Sequence, residues 1–376
     1  MTTESIATAV RESFDTSTPL RITGGESWLD AGRPVRAERK LSLRADSGIT
    51  AYIPEDLTIT MRAGTALADI EATTRQRGQW LPLDPYGSQA GSIGATVATA
   101  SAGPLSSSFG LARDLVLGLE FVNGRGEVVR AGGKVVKNVA GFDLSRLLTG
   151  SWGSLGVITE ITMRLYALPE VDRTFAITLS GSEKETTALL RAMTIAPLSP
   201  YAFLLLSASI ARALELGENR IGLMRLGGNS ASVKAQAAAV SHIVNVEEID
   251  TTTWPRLRQL ETGSHTALRI SSLPQRIAGA AARILNDDIP GVYTSIDPRR
   301  GLIRVVAGQA EGAGVSHDFA TGVVQSDASE LVFEKLPTDL WSVVAPSVVG
   351  DPLSQGIKRA YDPHNILNPG ILGELN

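Results

Sequence analysis

Alternating apolar and polar positions mark several short strands in the first half of the chain. Ile49–Ile53 and Thr58–Arg62 carry the two-residue period and β-branched content of strands, and they flank the turn Pro54-Glu55-Asp56. A helix is expected from Thr65, as N-cap, to Arg77, with Leu67 and Ile70 turned to a core. Its charges suit the helix dipole: Asp69 and Glu71 lie early, Arg75 and Arg77 late, and Gly78 takes the C′ position. Leu115–Val122 and Glu127–Arg130 predict a hairpin across Asn123-Gly124-Arg125-Gly126, and Val157–Leu165 another strand. Here strands follow strands more often than helices, which indicates an α+β arrangement.

The pattern changes near Pro169. Beyond it come strand 173–179, helix 185–196, strands 201–207 and 220–226, helix 231–242 and strand 244–249. A second set follows: strand 267–272, helix 274–286, and strands 292–297, 301–306 and 331–335. Split β-α-β units on an antiparallel sheet, a ferredoxin-like arrangement, account for this order. From about Gly350 the chain returns to Pro, Asn and Gly. The expected division is a first domain over 1–168, a second over 169–350, and a C-terminal segment 351–376.

Composition narrows the chemistry. The 376 residues are 43% hydrophobic and 20% charged, a globular balance with ample length for a core. A net charge of −4, without a basic run, argues against nucleic acid as a partner. No cysteine is present, which removes disulfides, thiol nucleophiles, iron–sulfur ligation and thioether-linked cofactors. The four histidines, at 242, 265, 317 and 364, lack the close spacing of a zinc site, so no metal is expected. The N-terminus shows no signal peptide and no apolar run approaches the length of a bilayer span, so a cytoplasmic location is expected, or one at a membrane through a partner.

Three glycine-bearing segments need a physical account. In Thr23-Gly24-Gly25-Glu26-Ser27-Trp28 a short strand runs into paired glycines and a hydroxyl, which is either a simple turn or a concavity of backbone N–H groups suited to an anion. Ala90-Gly91-Ser92-Ile93-Gly94-Ala95 opens a stretch of small residues through Ala98 and Ala102. It is either a tightly packed buried helix or one whose N-terminus and bare backbone face a large flat ligand. Gly150, Gly153 and Gly156, ahead of Val157-Ile158, mark a bend or a backbone approach to ligand where the strand begins. Other nucleotide signals fail. No GxGxxG opens a helix after a strand, Gly132-Gly133-Lys134-Val135 has Val where a Walker loop needs Ser or Thr, and no GxSxG elbow is present.

In order and spacing, these segments resemble the FAD-binding domain of the vanillyl-alcohol oxidase and p-cresol methylhydroxylase (PCMH-type) family. The resemblance implies two short α+β subdomains around FAD plus a ferredoxin-like α+β cap. It assigns Thr23, Gly24, Gly25, Glu26, Ser27 and Trp28 to the first pyrophosphate loop. Ala90, Gly91, Ser92, Ile93, Gly94 and Ala95, with Ala98 and Ala102, match the second loop and the backbone near the flavin. Arg113 and Asp114 precede the hairpin strand as in relatives, and Gly156, Val157 and Ile158 match the segment touching the adenosine half. Tyr361-Asp-Pro-His-Asn-Ile-Leu-Asn368-Pro369-Gly370 matches the terminal motif that returns to the flavin domain. Ala63-Gly64-Thr65, Gly78–Pro82 and, most specifically, Lys134–Leu148 resemble the FAD-binding E subunits of glycolate oxidases. That likeness implies an oxidoreductase acting on a small 2-hydroxy acid, together with a second flavin-binding subunit and an iron–sulfur subunit. Glu26 stands near the position where some relatives carry a flavin-linking His. With cysteine also absent, noncovalent FAD is expected.

Oxidising a 2-hydroxy acid also requires a base for the hydroxyl proton and a cation for the carboxylate. Arg269, in Ala267-Leu-Arg-Ile-Ser271, is the candidate carboxylate partner, and His364 and His265 are candidate bases. Each has an ordinary alternative, an Arg on a sheet and a hydrogen-bonded loop His. The paired-histidine metal motif of catalytic D-2-hydroxy-acid dehydrogenases is absent, which leaves open a flavin-carrying electron-transfer or assembly subunit, or a stand-alone FAD-dependent alcohol oxidoreductase.

Overall fold

A computed structural model describes residues 1–88, 90–133, 143–179, 182–274, 277, 289–308, 330–341 and 350–373. The stretch 134–142, which carries most of the specific Lys134–Leu148 resemblance, lies outside the described residues, as does nearly all of the expected helix 274–286 and His317. The chain divides into two units. Unit 1 comprises Met1–Ala102, Gly110–Leu168 and Pro346–Asn376, and unit 2 comprises Gly103–Phe109 and Pro169–Ala345.

The described strands of unit 1 are β1 (Leu20–Thr23), β2 (Arg39–Ser42), β3 (Ile49–Ile53), β4 (Thr58–Arg62), β5 (Gln79–Trp80), β6 (Val116–Val122), β7 (Val128–Gly132), β8 (Val157–Arg164) and β9 (Tyr166–Ala167). Five form an antiparallel sheet in the order β3-β4-β8-β6-β7, and β1 and β2 form a separate parallel pair. Alternation places Ile59, Met61, Ile161 and Met163 in one fully buried layer, each adding about 1.5–3 kcal/mol of burial. The β6–β7 turn is held by Asn123, whose Oδ1 accepts from the amides of Arg125 and Glu127. The N-terminal helix Thr3–Asp15 joins the same core through Ile6, Ala7 and Val10. Its Thr3 hydroxyl donates to buried Glu120 on β6, which also accepts from Thr159 and pairs with Arg130.

The helix expected from Thr65 to Arg77 runs instead over Leu67–Arg75, with Ala66 at the N-cap. Thr65 is otherwise engaged: its hydroxyl accepts from Gly48 N at 2.9 Å and donates to Arg62 O at 2.7 Å, tying the helix to the preceding strand. Gly78 has φ +64°, the left-handed turn that ends the helix.

Unit 2 contains β10 (Val171–Thr178), β11 (Ala202–Leu206), β12 (Ile221–Gly228), β13 (Val246–Ile249), β14 (Thr266–Ser271), β15 (Val292–Asp297), β16 (Leu302–Ala307) and β17 (Glu330–Lys335). They form one antiparallel sheet in the order β13-β10-β12-β11-β15-β16-β14-β17. Each half repeats the ferredoxin-like strand order, and the halves join where Leu205 and Leu206 pair with Ile296 and Ser295. One face is covered in its first half by helices Glu183–Ile195 and Ser230–Ser241, which join the same core as Phe175, Ile177 and Met224. The other is covered by Ala208–Ala213 and Thr253–Gln259, whose Trp254 is buried and donates to Thr174 Oγ1 at 2.9 Å.

Candidate functional site

In unit 1 the chain turns sharply after β1. Glu26 adopts φ +63°, and the amides of Gly24, Glu26 and Ser27 meet no acceptor among the described residues. The Gly25 amide donates to Ser92 Oγ at 3.3 Å. Ser92 is the N-cap of the helix Ile93–Thr99, where the same hydroxyl accepts from Ala95 N at 3.4 Å. Both glycine loops are therefore gathered at one hydroxyl. The contacts also explain why these positions are glycine. A Cβ at Gly25 would stand 2.7 Å from the Ala90 carbonyl oxygen, and one at Gly94 2.7 Å from the Ala63 carbonyl oxygen.

A cleft with an open mouth lies along these loops. Of the residues singled out in sequence, Thr23 through Trp28, Ser92, Gly94, Ala95, Ala98, Gly156 and Ile158 line it. Gly91 lines a smaller adjoining recess with Ser27, Ser92, Ala95, Thr96, Thr99 and Ser101. Ala90 touches the first loop only through its carbonyl. Ile93 and Val157 are fully buried in the core, and Ala102 lies on neither wall. Arg113 and Asp114 sit in the short helix Ala112–Leu115 away from the cleft, with Asp114 accepting from Leu111 N at 2.9 Å.

Sequence reasoning missed much of the opposite wall. Trp152 stacks on Trp28 with ring centroids 5.9 Å apart, and Asn368, Ile371, Leu43 and Ala63 are also among the lining residues. The loop Gly150–Gly153 is fixed to the helix Ile93–Thr99 by Gly150 N to Val97 O at 3.0 Å and Trp152 N to Ala98 O at 2.8 Å. The terminal motif, quoted for resemblance but not assigned to the site, was the signal that could have found Asn368.

The cleft is lined by backbone and uncharged side chains together with the charged Arg21 and Glu26. At the rim, the Glu26 carboxylate accepts from Lys40 Nζ at 2.7 Å and from the Thr23 hydroxyl at 3.1 Å, and these two bonds hold it below the usual carboxylate range. Such a surface suits a large ligand with an anionic centre, bound mainly by N–H groups and apolar contact.

None of the candidate catalytic residues is among those lining the cleft. Arg269 lies on β14, where its guanidinium is 3.7 Å from Glu334; Glu334 also pairs with Arg304, itself bonded to Glu261. His364 stacks on Phe14 at 4.1 Å, with Nδ1 2.9 Å from the Phe14 carbonyl. His265 is exposed at the start of β14, its amide bonded to Ala307 O. No group of His, Asp or Glu able to hold a metal occurs among the described residues, and no described helix is long and apolar enough to cross a membrane.

Comparison with known proteins places this cleft in a family context. Residues 1–132 match the model of an FAD binding domain (FAD_binding_4). Over 252 residues the chain is 36% identical to glycolate oxidase subunit GlcE of Escherichia coli, a match covering 66% of each protein, just under two thirds. Over 120 residues, 32% of this chain and 26% of the relative, it is 38% identical to glycolate oxidase subunit GlcD of Bacillus subtilis. Among solved structures, p-cresol methylhydroxylase with substrate bound superposes with TM-score 0.72 at 16% identity, covering 99% of this chain and 87% of that one, which establishes the likeness of fold.

Proposed function

Given a chain that carries a PCMH-type FAD-binding domain, with FAD as its cofactor, we propose that it is the FAD-binding subunit of a glycolate oxidase-like complex that oxidises a small 2-hydroxy acid. Its relatives among glycolate oxidase subunits support this reading. The observation that carries it is the cleft itself, with amides at Gly24, Glu26 and Ser27 that meet no acceptor among the described residues, beside the Ser92-capped loop.

In this reading the two loops hold the diphosphate through those amides, with Lys40 neutralising Glu26 at the rim. Gly24, Gly25 and Gly94 keep the loops close enough for both to reach it. Trp28, Trp152, Gly156 and Ile158 supply apolar surface for a ring. Bound FAD supplies the hydride acceptor. The cofactor is held without a covalent link, since the chain has no cysteine and Glu26 stands in the first loop.

The partners are a second flavin-binding subunit and an iron–sulfur subunit. One observation favours a carrier role over turnover by this chain alone. Arg269 lies 3.7 Å from Glu334, and His364 is held by a ring stack and a carbonyl, so two of the three candidates already have partners.

An anaerobic visible spectrum of the purified chain during glycolate addition tests both readings. Bleaching of the flavin band establishes a substrate site within this chain. A band that stays oxidised alone but bleaches once partner subunits are added establishes the carrier role. A chain that takes up no FAD refutes both.

A further inference from the structure

The strongest unassigned feature of unit 1 is the way the terminal motif delivers one side chain into the cleft. Asp362 is 1% exposed, and its carboxylate accepts from Ile366 N at 3.0 Å and Leu367 N at 2.8 Å. Lys358 pairs with it at 2.7 Å and also donates to the Ser154 carbonyl at 2.8 Å. The chain thus turned runs beside β1: Leu20 N donates to Ile366 O at 2.7 Å, and Asn368 N to Leu20 O at 3.0 Å. Asn368 has φ +45°, a left-handed conformation that Asn accepts more readily than most residues.

The Asn368 amide then spans the cleft walls with both ends used. Its Oδ1 accepts from Ile22 N at 2.7 Å, on the strand leading into the first glycine loop. Its Nδ2 donates to the Trp152 carbonyl at 2.8 Å, in the loop whose indole stacks on Trp28. The side chain is 6% exposed and lines the cleft. Among the twenty residues an amide of this length is the one group that accepts at one end and donates at the other here. Asp cannot donate, and Gly makes neither bond.

We infer that Asn368 is a positioning residue for the cofactor: it fixes the separation between the first loop and the Trp152 wall, and so sets how tightly FAD is retained. The inference rests on reading the cleft as the FAD site.

Two variants of the full chain separate side chain from backbone. N368G tolerates the left-handed conformation but makes no bridge. N368D keeps the shape and the acceptor for Ile22 while setting an oxygen against the Trp152 carbonyl. FAD dissociation constants, read from quenching of tryptophan fluorescence, are expected to rise about tenfold or more in both, the scale of one lost bridging bond. The apoprotein melting temperature is measured alongside. Variants that bind FAD as tightly as wild type, whatever their melting temperature, overturn the inference. In the wild-type chain, exchange of the Ile22 amide should slow when FAD is added, and an unchanged rate overturns the inference without recourse to any variant. A wild-type chain that takes up no FAD overturns the underlying reading instead.

Discussion

Polar groups are used differently in the two units. In unit 1 the cleft presents backbone N–H groups without acceptors among the described residues, and most of its side chains are uncharged. In unit 2 the buried charges pair with one another: Arg304 bonds Glu261 and Glu334, and Arg269 reaches the same Glu334. A backbone site leaves a trace in sequence because it needs glycine where chains pass closely. A side-chain site leaves none, since an Arg that binds substrate and an Arg that neutralises a buried Glu are the same letter.

Removing Arg304 gives the largest expected effect and strikes only one side of that contrast. Arg304→Met leaves Glu261 and Glu334 buried without their shared cation, and unit 2 should lose about 3–5 kcal/mol, read by urea unfolding at Trp254 and Trp341. FAD uptake by unit 1 should survive; loss of both together would erase the distinction. Gly94→Ala strikes the other side. Its Cβ would lie 2.7 Å from the Ala63 side chain and carbonyl oxygen, so unit 1 should lose about 1–3 kcal/mol and FAD uptake should fall.

The pH responses should have opposite signs. Burial pushes Glu120 up, but the hydroxyls of Thr3 and Thr159 and the Arg130 guanidinium more than offset it, leaving its pKa below the ordinary glutamate value. Its contribution to unit 1 is present above that value and disappears as pH falls through the lowered pKa. Burial raises Asp297 against the pull of the Arg300 and Arg299 amides. Its contribution to unit 2 is present below the ordinary aspartate value and disappears as pH rises through the raised pKa. Tryptophan-resolved melting across acidic pH should show Glu120→Gln flattening the acid limb of unit 1 and Asp297→Asn changing unit 2 alone. Parallel shifts in both units would refute the assignment. The smallest effect is expected from Ser92→Ala, which removes a cap with two long bonds and should cost about 1 kcal/mol in unit 1 melting.

How much was legible follows the same divide. β3 and β4 fall on the residues that alternation marked, and β15 does likewise, because each has one wet and one buried direction or ends at clear turns. The helices Thr3–Asp15 and Pro352–Tyr361 went unread. The first has a Thr2 capping box and the second an Asp351 cap with Pro at the first turn, signals that lie at the chain ends away from any strand pattern. Glycine spacing pointed to the near wall of the cleft. Trp152 and Asn368 stayed hidden since their neighbours, β1 and the helix Ile93–Thr99, are remote in sequence.

The bond between Ile22 and Asn368 closes a separation of 346 residues. During synthesis the first strand leaves the ribosome long before its partner exists, while every described strand of unit 2 is already made. The first loop can be present, glycines and all, yet Asn368 and Ile371 join the cleft lining only after more than three hundred further residues have been made. If Asn368 positions the cofactor as inferred, capture becomes a late event in the synthesis of this fold, and a chain cut short before Asn368 is expected to hold FAD less tightly.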